Sequence, residues 1–134
     1  MKLLVDANIF LEVILDRKRA DKARSILAAT DRHELFISDF SLHSIGVILF
    51  RLKRHEHFQR FISDMILGAG TIVLPLSAEN MLDMADVART FSLDSDDAYQ
   101  YVVAQDYQLT TVSFGSDLDR TDPGRKTPAE VLKG

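Results

Sequence analysis

Short apolar runs at Leu3–Val5, Leu35–Ile37, Thr71–Leu74 and Leu109–Val112 are separated by longer stretches whose apolar residues recur every three to four positions. The short runs predict strands and the longer stretches predict helices packed by one stripe. Ala23, Ile26 and Leu27 form one such stripe, and Ile45, Ile48, Leu49 and Leu52 a second. Phe58, Phe61, Ile62 and Met65 form a third, and Met81, Met84, Ala85 and Ala88 a fourth. Ser77, with Glu79 and Asn80 behind it, and Thr127 before Pro128 mark helix starts, while Gly68 and Gly70 mark a stop. Residues 121–126 read as a polar loop.

Uniformly apolar strands joined by helical crossovers predict a parallel sheet covered on both faces, with every strand's carboxyl end on one rim. The expected fold is a three-layer α/β/α sandwich around a parallel sheet of four to five strands. At 134 residues, 46% apolar and 27% charged, the chain is expected to form a single domain over 1–134.

Composition narrows the chemistry. There is no cysteine, so any metal has to be held by oxygen or imidazole. No run approaches the roughly 18 apolar residues of a membrane span, and no charged start leads into a long apolar stretch. The expectation is a cytoplasmic protein with no membrane partner. The net charge of −4 hides basic clusters at 16–24, 51–60 and 120–126, most of them attributable to solvated helix faces.

Against that background Asp6 stands out, because it follows Leu3, Leu4 and Val5 directly. An ionised carboxylate pressed against an apolar strand needs a partner. Sites in open α/β sheets form beyond the strands' carboxyl ends, the rim that Asp6, Ser38, Asp39 and the segment Ser113–Asp117 share. Asp94, Asp96 and Asp97 open the helix before the fourth strand, where the first turn favours carboxylates. Asp97 adjoins Ala98 near that helix's buried edge, so it brings a second charge toward Asp6. Crowded carboxylates call for a cation, and Mg²⁺ or Mn²⁺ takes oxygen ligands, keeps waters and suits phosphodiester hydrolysis.

The blocks LLVDANIFLEVIL, ISDFSLHSIGVIL, LDSDDAYQYVVAQ and TTVSFGSDLDRTD resemble, in order and spacing, the PIN domain family, which includes VapC-type toxins of toxin–antitoxin pairs. The resemblance implies a Mg²⁺- or Mn²⁺-dependent ribonuclease acting on RNA, a homodimer and a cognate antitoxin. It makes Asp6 and Asp97 metal ligands, with Asp117 as a further acid. Two of the family's usual acidic positions are filled otherwise: Ser44 stands where a glutamate is common, and Gly115 where an aspartate is. The expectation is therefore one well-bound ion rather than two, and weakened catalysis.

Other residues carry weaker expectations. Asn8 is read as a cap of the first helix and a candidate substrate contact, Ser38 as a cap, and Ser44 as part of the substrate wall. Arg120, Arg125 and Lys126 are the candidate RNA contacts, because they follow Asp117 on the same rim. Asp39 is a remote substitute for the missing glutamate. His33, His43, His55 and His57 are expected to be solvated surface residues, with His43 the one of interest beside Ser44. A surplus of apolar residues in IGVILF and FISDMIL would suit a dimer contact or a partner helix. A receiver-like phospho-acceptor domain also gathers acids at strand ends, but Pro75 and Ser77 follow the third strand and no lysine ends the last.

Overall fold

The computed structural model describes residues 1–122 and 124–133; Pro123, inside the loop read at 121–126, and Gly134 lie outside the described residues. Strands β1 (Lys2–Val5), β2 (Glu34–Ser38), β3 (Ile72–Leu74) and β4 (Thr110–Val112) form one parallel sheet in the order β3-β2-β1-β4. Leu3 pairs with Leu35 and with Thr110, so β1 lies between β2 and β4. Helices α1 (Ala7–Ile14) and α2 (Ala20–Ala28) connect β1 to β2, and α3 (Asp39–Arg51) and α4 (His55–Phe61) connect β2 to β3. Helices α5 (Ala78–Phe91) and α6 (Ser95–Tyr107) return the chain to β4, and α7 (Pro128–Lys133) closes it. The expected α/β/α sandwich is the fold observed.

Strand alternation divides the core in two. Leu3, Val5, Leu35 and Ile37 pack with Ile9, Phe10, Ile26, Ile45, Leu49 and Phe61 on the face of α1 to α4. Leu4 and Phe36 point the other way, onto Tyr99, Val102 and Val103 of α6. Successive strand side chains leave opposite faces, so a continuous apolar run is what a sheet covered on both sides requires. Phe10 meets Phe61 edge-to-face with ring centroids 5.2 Å apart.

The helix starts at Ser77 and Thr127 are as expected. Ser77 accepts from the Asn80 amide. Thr127 accepts from the Glu130 amide while Glu130 accepts from the Thr127 amide, a reciprocal capping box.

Several expectations need correction. Asn8 does not cap α1: Asp6 occupies the cap position with extended backbone, and Asn8 is exposed in the first turn. Leu52 falls just past α3 and is half exposed. On α5, Met81 and Ala85 face solvent, and the packing stripe runs through Met84, Val87, Ala88 and Phe91. Residues Ile62–Gly68 form a π-helical continuation of α4 rather than an α-helical stretch, still packing Ile62, Met65 and Ile66 on the core. The polar loop contains a parallel bridge, with Lys126 paired to Val112 beyond the edge of β4.

His33 is also corrected, because it is buried rather than solvated. It sits just before β2, at the end of the sheet opposite Asp6, and neither ring nitrogen has a hydrogen-bond partner. Burial and the nearby positive charges of the N-terminus and Arg32 hold its pKa below the usual histidine value.

Candidate metal and nucleic-acid site

The chain moves outward from β1 to β2 to β3 and then crosses to β4 on the other side of β1. The reversal of strand order lies between β1 and β4, where such sheets open a crevice at their carboxyl ends. Asp6 leaves β1 there and Ser113 leaves β4. The Asp6 amide extends the ladder by donating to the Val112 carbonyl at 3.0 Å. The Ser113 hydroxyl donates to Asp6 Oδ2 at 2.8 Å, joining residues 107 apart in sequence.

These residues line a pocket of about 250 Å³, and Asp94, Asp96, Asp97 and Asp117 line it too. Asp94 caps α6 by accepting from the Asp97 amide at 2.9 Å. Asp117 begins a short 3₁₀ turn, Asp117–Arg120, after β4. Three chain segments therefore bring carboxylates to one place.

The electrostatic consequence appears in two of them. Burial raises the pKa of Asp6, with the Asp96 charge adding to it, although the Ser113 hydroxyl and the Ala7 amide oppose the shift. Asp97 is pushed up to about 7, first by burial and then by the charges of Asp94 and Asp117. Hydrogen bonding with the same two carboxyls favours its protonated form further. Asp96 is the acid that sequence reading undervalued. Its position at a helix start has a sufficient local explanation, and only the fold brings it to Asp6.

The donor set matches a hard divalent cation in kind, being all oxygen and excess negative charge. Among the described residues, no three histidine or carboxylate side chains are drawn together as a ready-made cage. The arrangement suits an ion held by two carboxylates and completed by water, since Mg²⁺ usually retains several waters.

The remaining candidates sort by position. Ser44 and Asn8 line the pocket, as does Gly115. A Cβ added at Gly115 would have only the Ser113 hydroxyl within 4 Å, at an ordinary 3.6 Å. Arg120 lies outside the pocket lining, donating to the Ser92 carbonyl and standing 4.0 Å from Asp117. Arg125 binds Asp119 and the Ser113 carbonyl. The Lys126 main chain is used in the bridge to β4. Ser38 caps α3 as expected, accepting from Ser41.

Asp39 does not reach the acids. It accepts from the Tyr99 hydroxyl, whose pKa is pushed up to about 12 by burial and by this contact. Asp39 and His43 instead border a separate groove of about 690 Å³ along α3 and α4, walled by Leu42, Val47, Phe50 and Phe58. That groove is larger than the acid pocket but almost entirely apolar.

The PIN domain family model matches residues 3–123. No curated protein matches the sequence. Among solved structures, a toxin–antitoxin complex from Klebsiella pneumoniae is similar at 21% identity with a TM-score of 0.71, covering 96% of this chain and 98% of that one. VapBC2 from Rickettsia felis, bound to a DNA fragment from its promoter, is similar at 14% identity and a TM-score of 0.72, covering 95% and 97%. Mycobacterium tuberculosis VapC20, a sarcin–ricin loop cleaving toxin, is similar at 16% identity and a TM-score of 0.72, covering 92% and 95%.

Proposed function

Since the chain belongs to the PIN domain family, we propose that it is a divalent-metal-dependent endoribonuclease, folded as one domain over 1–134, and the toxin of a toxin–antitoxin pair. Asp6 and Asp97 hold one Mg²⁺ or Mn²⁺, and Asp117 supports it directly or through water. The observation that carries this reading is the gathering of carboxylates at the switch point of the sheet, where burial first and then their mutual charge push Asp97 up to about 7. A bound divalent ion would orient and deprotonate water and offset charge on the phosphodiester's non-bridging oxygens. The protein's own part is positional. Ser113 fixes Asp6, Asp94 fixes the start of α6, and the sheet fixes the distance between them.

The similarity to toxin–antitoxin complexes supports an antitoxin as partner. The apolar groove on α3 and α4, with its wall residue Phe50 half exposed, supports contact with that partner or with a second copy of the chain. Arg120, Arg125 and Lys126 flank the rim as RNA contacts.

Millimolar Mn²⁺ should raise the melting temperature of the wild type and leave Asp6→Asn/Asp97→Asn unchanged. A flat response of the wild type would overturn the metal assignment.

Ser44 and Gly115 favour a second reading, a PIN scaffold that binds RNA or protein and no longer cuts. The two separate in an RNA-cleavage assay in Mn²⁺ comparing wild type with Ser44→Glu/Gly115→Asp, whose added Cβ at 115 meets no close contact. Cutting by the wild type supports the nuclease, weakened by its missing acids. Cutting by the restored protein alone supports the binding module.

A further inference from the structure

Gln100 lies one turn beyond Asp97 on α6 and is only 4% exposed, yet it lines the acid pocket. Its side-chain oxygen accepts from the Ser41 hydroxyl at 3.4 Å, and its Nε2 has no partner at all. The acid pocket's lining divides by charge. Asp6, Asp94, Asp96, Asp97 and Asp117 supply carboxylates, while Ser41 and Ser44 of α3, with Gln100, supply uncharged hydrogen-bonding groups.

Because the Ser41 hydroxyl takes the oxygen end, the N–H₂ end is the donor left without a protein acceptor. None of those carboxylates reaches Nε2. A buried donor that its own protein leaves without an acceptor is disfavoured, and the adjoining hollow is where an acceptor can arrive. A phosphodiester brings such acceptors, and those of its oxygens that a bound cation does not neutralise are repelled by the carboxylates and favoured beside an uncharged donor.

We propose that Gln100 is a substrate-binding residue, its amide donating to an oxygen of the RNA backbone from the uncharged part of the pocket. This rests on the ribonuclease reading and adds a role for a residue that is neither acidic nor basic. Ser41 is its positioning residue, holding the oxygen end so that the nitrogen end is free.

The test uses Gln100→Met, which keeps length and removes the donor, and Gln100→Glu, which keeps shape and replaces donor with acceptor. Cleavage of fluorescein-labelled single-stranded RNA in Mn²⁺ gives KM and kcat, and anisotropy of the same RNA in EDTA gives Kd. Both variants should raise KM and Kd about tenfold, with kcat of Gln100→Met within about threefold of wild type and its melting temperature unchanged or higher. A lowered melting temperature with KM and Kd within twofold of wild type would show a purely structural amide and overturn the proposal.

The arms also separate the two claims. If the wild type cleaves and Gln100→Met matches it, only the Gln100 assignment fails. If the wild type binds RNA without cleaving, the Kd comparison decides the assignment while the nuclease reading fails. If it neither cleaves nor binds, both fail.

Discussion

The two ends of the sheet carry groups that ought to respond to protons in opposite directions. At the carboxyl end Asp6 and Asp97 are held above their ordinary range. At the amino end the imidazole of His33 is held below its own. Both ends enclose polar groups, and the difference lies in what surrounds them. Carboxylates from three segments meet at one end, whereas at the other a single ring and the Thr71 hydroxyl are buried without partners. At the carboxyl end the cost of burial is compounded by repulsion between carboxylates. At the amino end desolvation of the ring comes first, and the positive charges of the N-terminus and Arg32 add to it.

That contrast can be broken experimentally, and the largest effect is expected at Ser113. Ser113→Ala removes the hydroxyl that donates to Asp6 and accepts from the Gly115 amide. Hydrogen bonds to charged groups contribute about 1.5–3 kcal/mol, so urea denaturation at pH 7.5 should show a loss of about 1.5 kcal/mol.

Asp97 should behave in the reverse sense. Its folded pKa of about 7 lies above the ordinary 3.8, so the folded chain binds more protons than the unfolded one between these values. Stability therefore falls as pH rises from about 4 to about 7. In EDTA, Asp97→Asn should remove much of that fall and melt higher than wild type at pH 7.5. A gain of roughly 1 kcal/mol corresponds to about 4 °C in a domain of this size. Equal melting temperatures at pH 7.5 would contradict the repulsion described.

At the opposite end the slope reverses. His33 has a depressed folded pKa, so its contribution is present above about 6.5 and lost as pH falls below that value. His33→Leu, similar in volume and without unpartnered nitrogens, should weaken the loss of stability between pH 7.5 and 5.5, read from urea midpoints. The smallest change is expected away from both ends. Arg89→Ala breaks an exposed pair with Asp86 and should cost no more than about 0.5 kcal/mol.

How much of this could be read from the sequence follows the same division. The four strands were legible because each is a short apolar run, and Asp6 was legible because it interrupts one. Asp97 was legible through its place against Ala98. Asp96 was not, since a helix start already accounts for an acid there, and its approach to Asp6 depends on the crossing from β3 to β4. Gln100 was hidden in a helical stretch where one amide carries no pattern. His33 misled because histidine beside Asp31, Arg32 and Glu34 looks solvated, whereas the turn before β2 folds it inward. On α5 the periodicity was correct but its phase was not. Met81 and Ala85 lie close enough to the packing stripe that spacing alone does not exclude them.

The bond from Ser113 to Asp6 has a consequence for how the chain comes into being. Synthesis adds the hydroxyl partner of Asp6 107 residues after Asp6 itself. Ser113 is in turn held by the amide-to-carbonyl bond to Lys126 and by the Arg125 side chain. A chain still emerging during synthesis, or one ended early by a stop codon before residue 113, lacks both the partner and β4. The acid pocket can therefore assemble only once synthesis has passed β4, and a product ended before it carries Asp6 without the machinery around it.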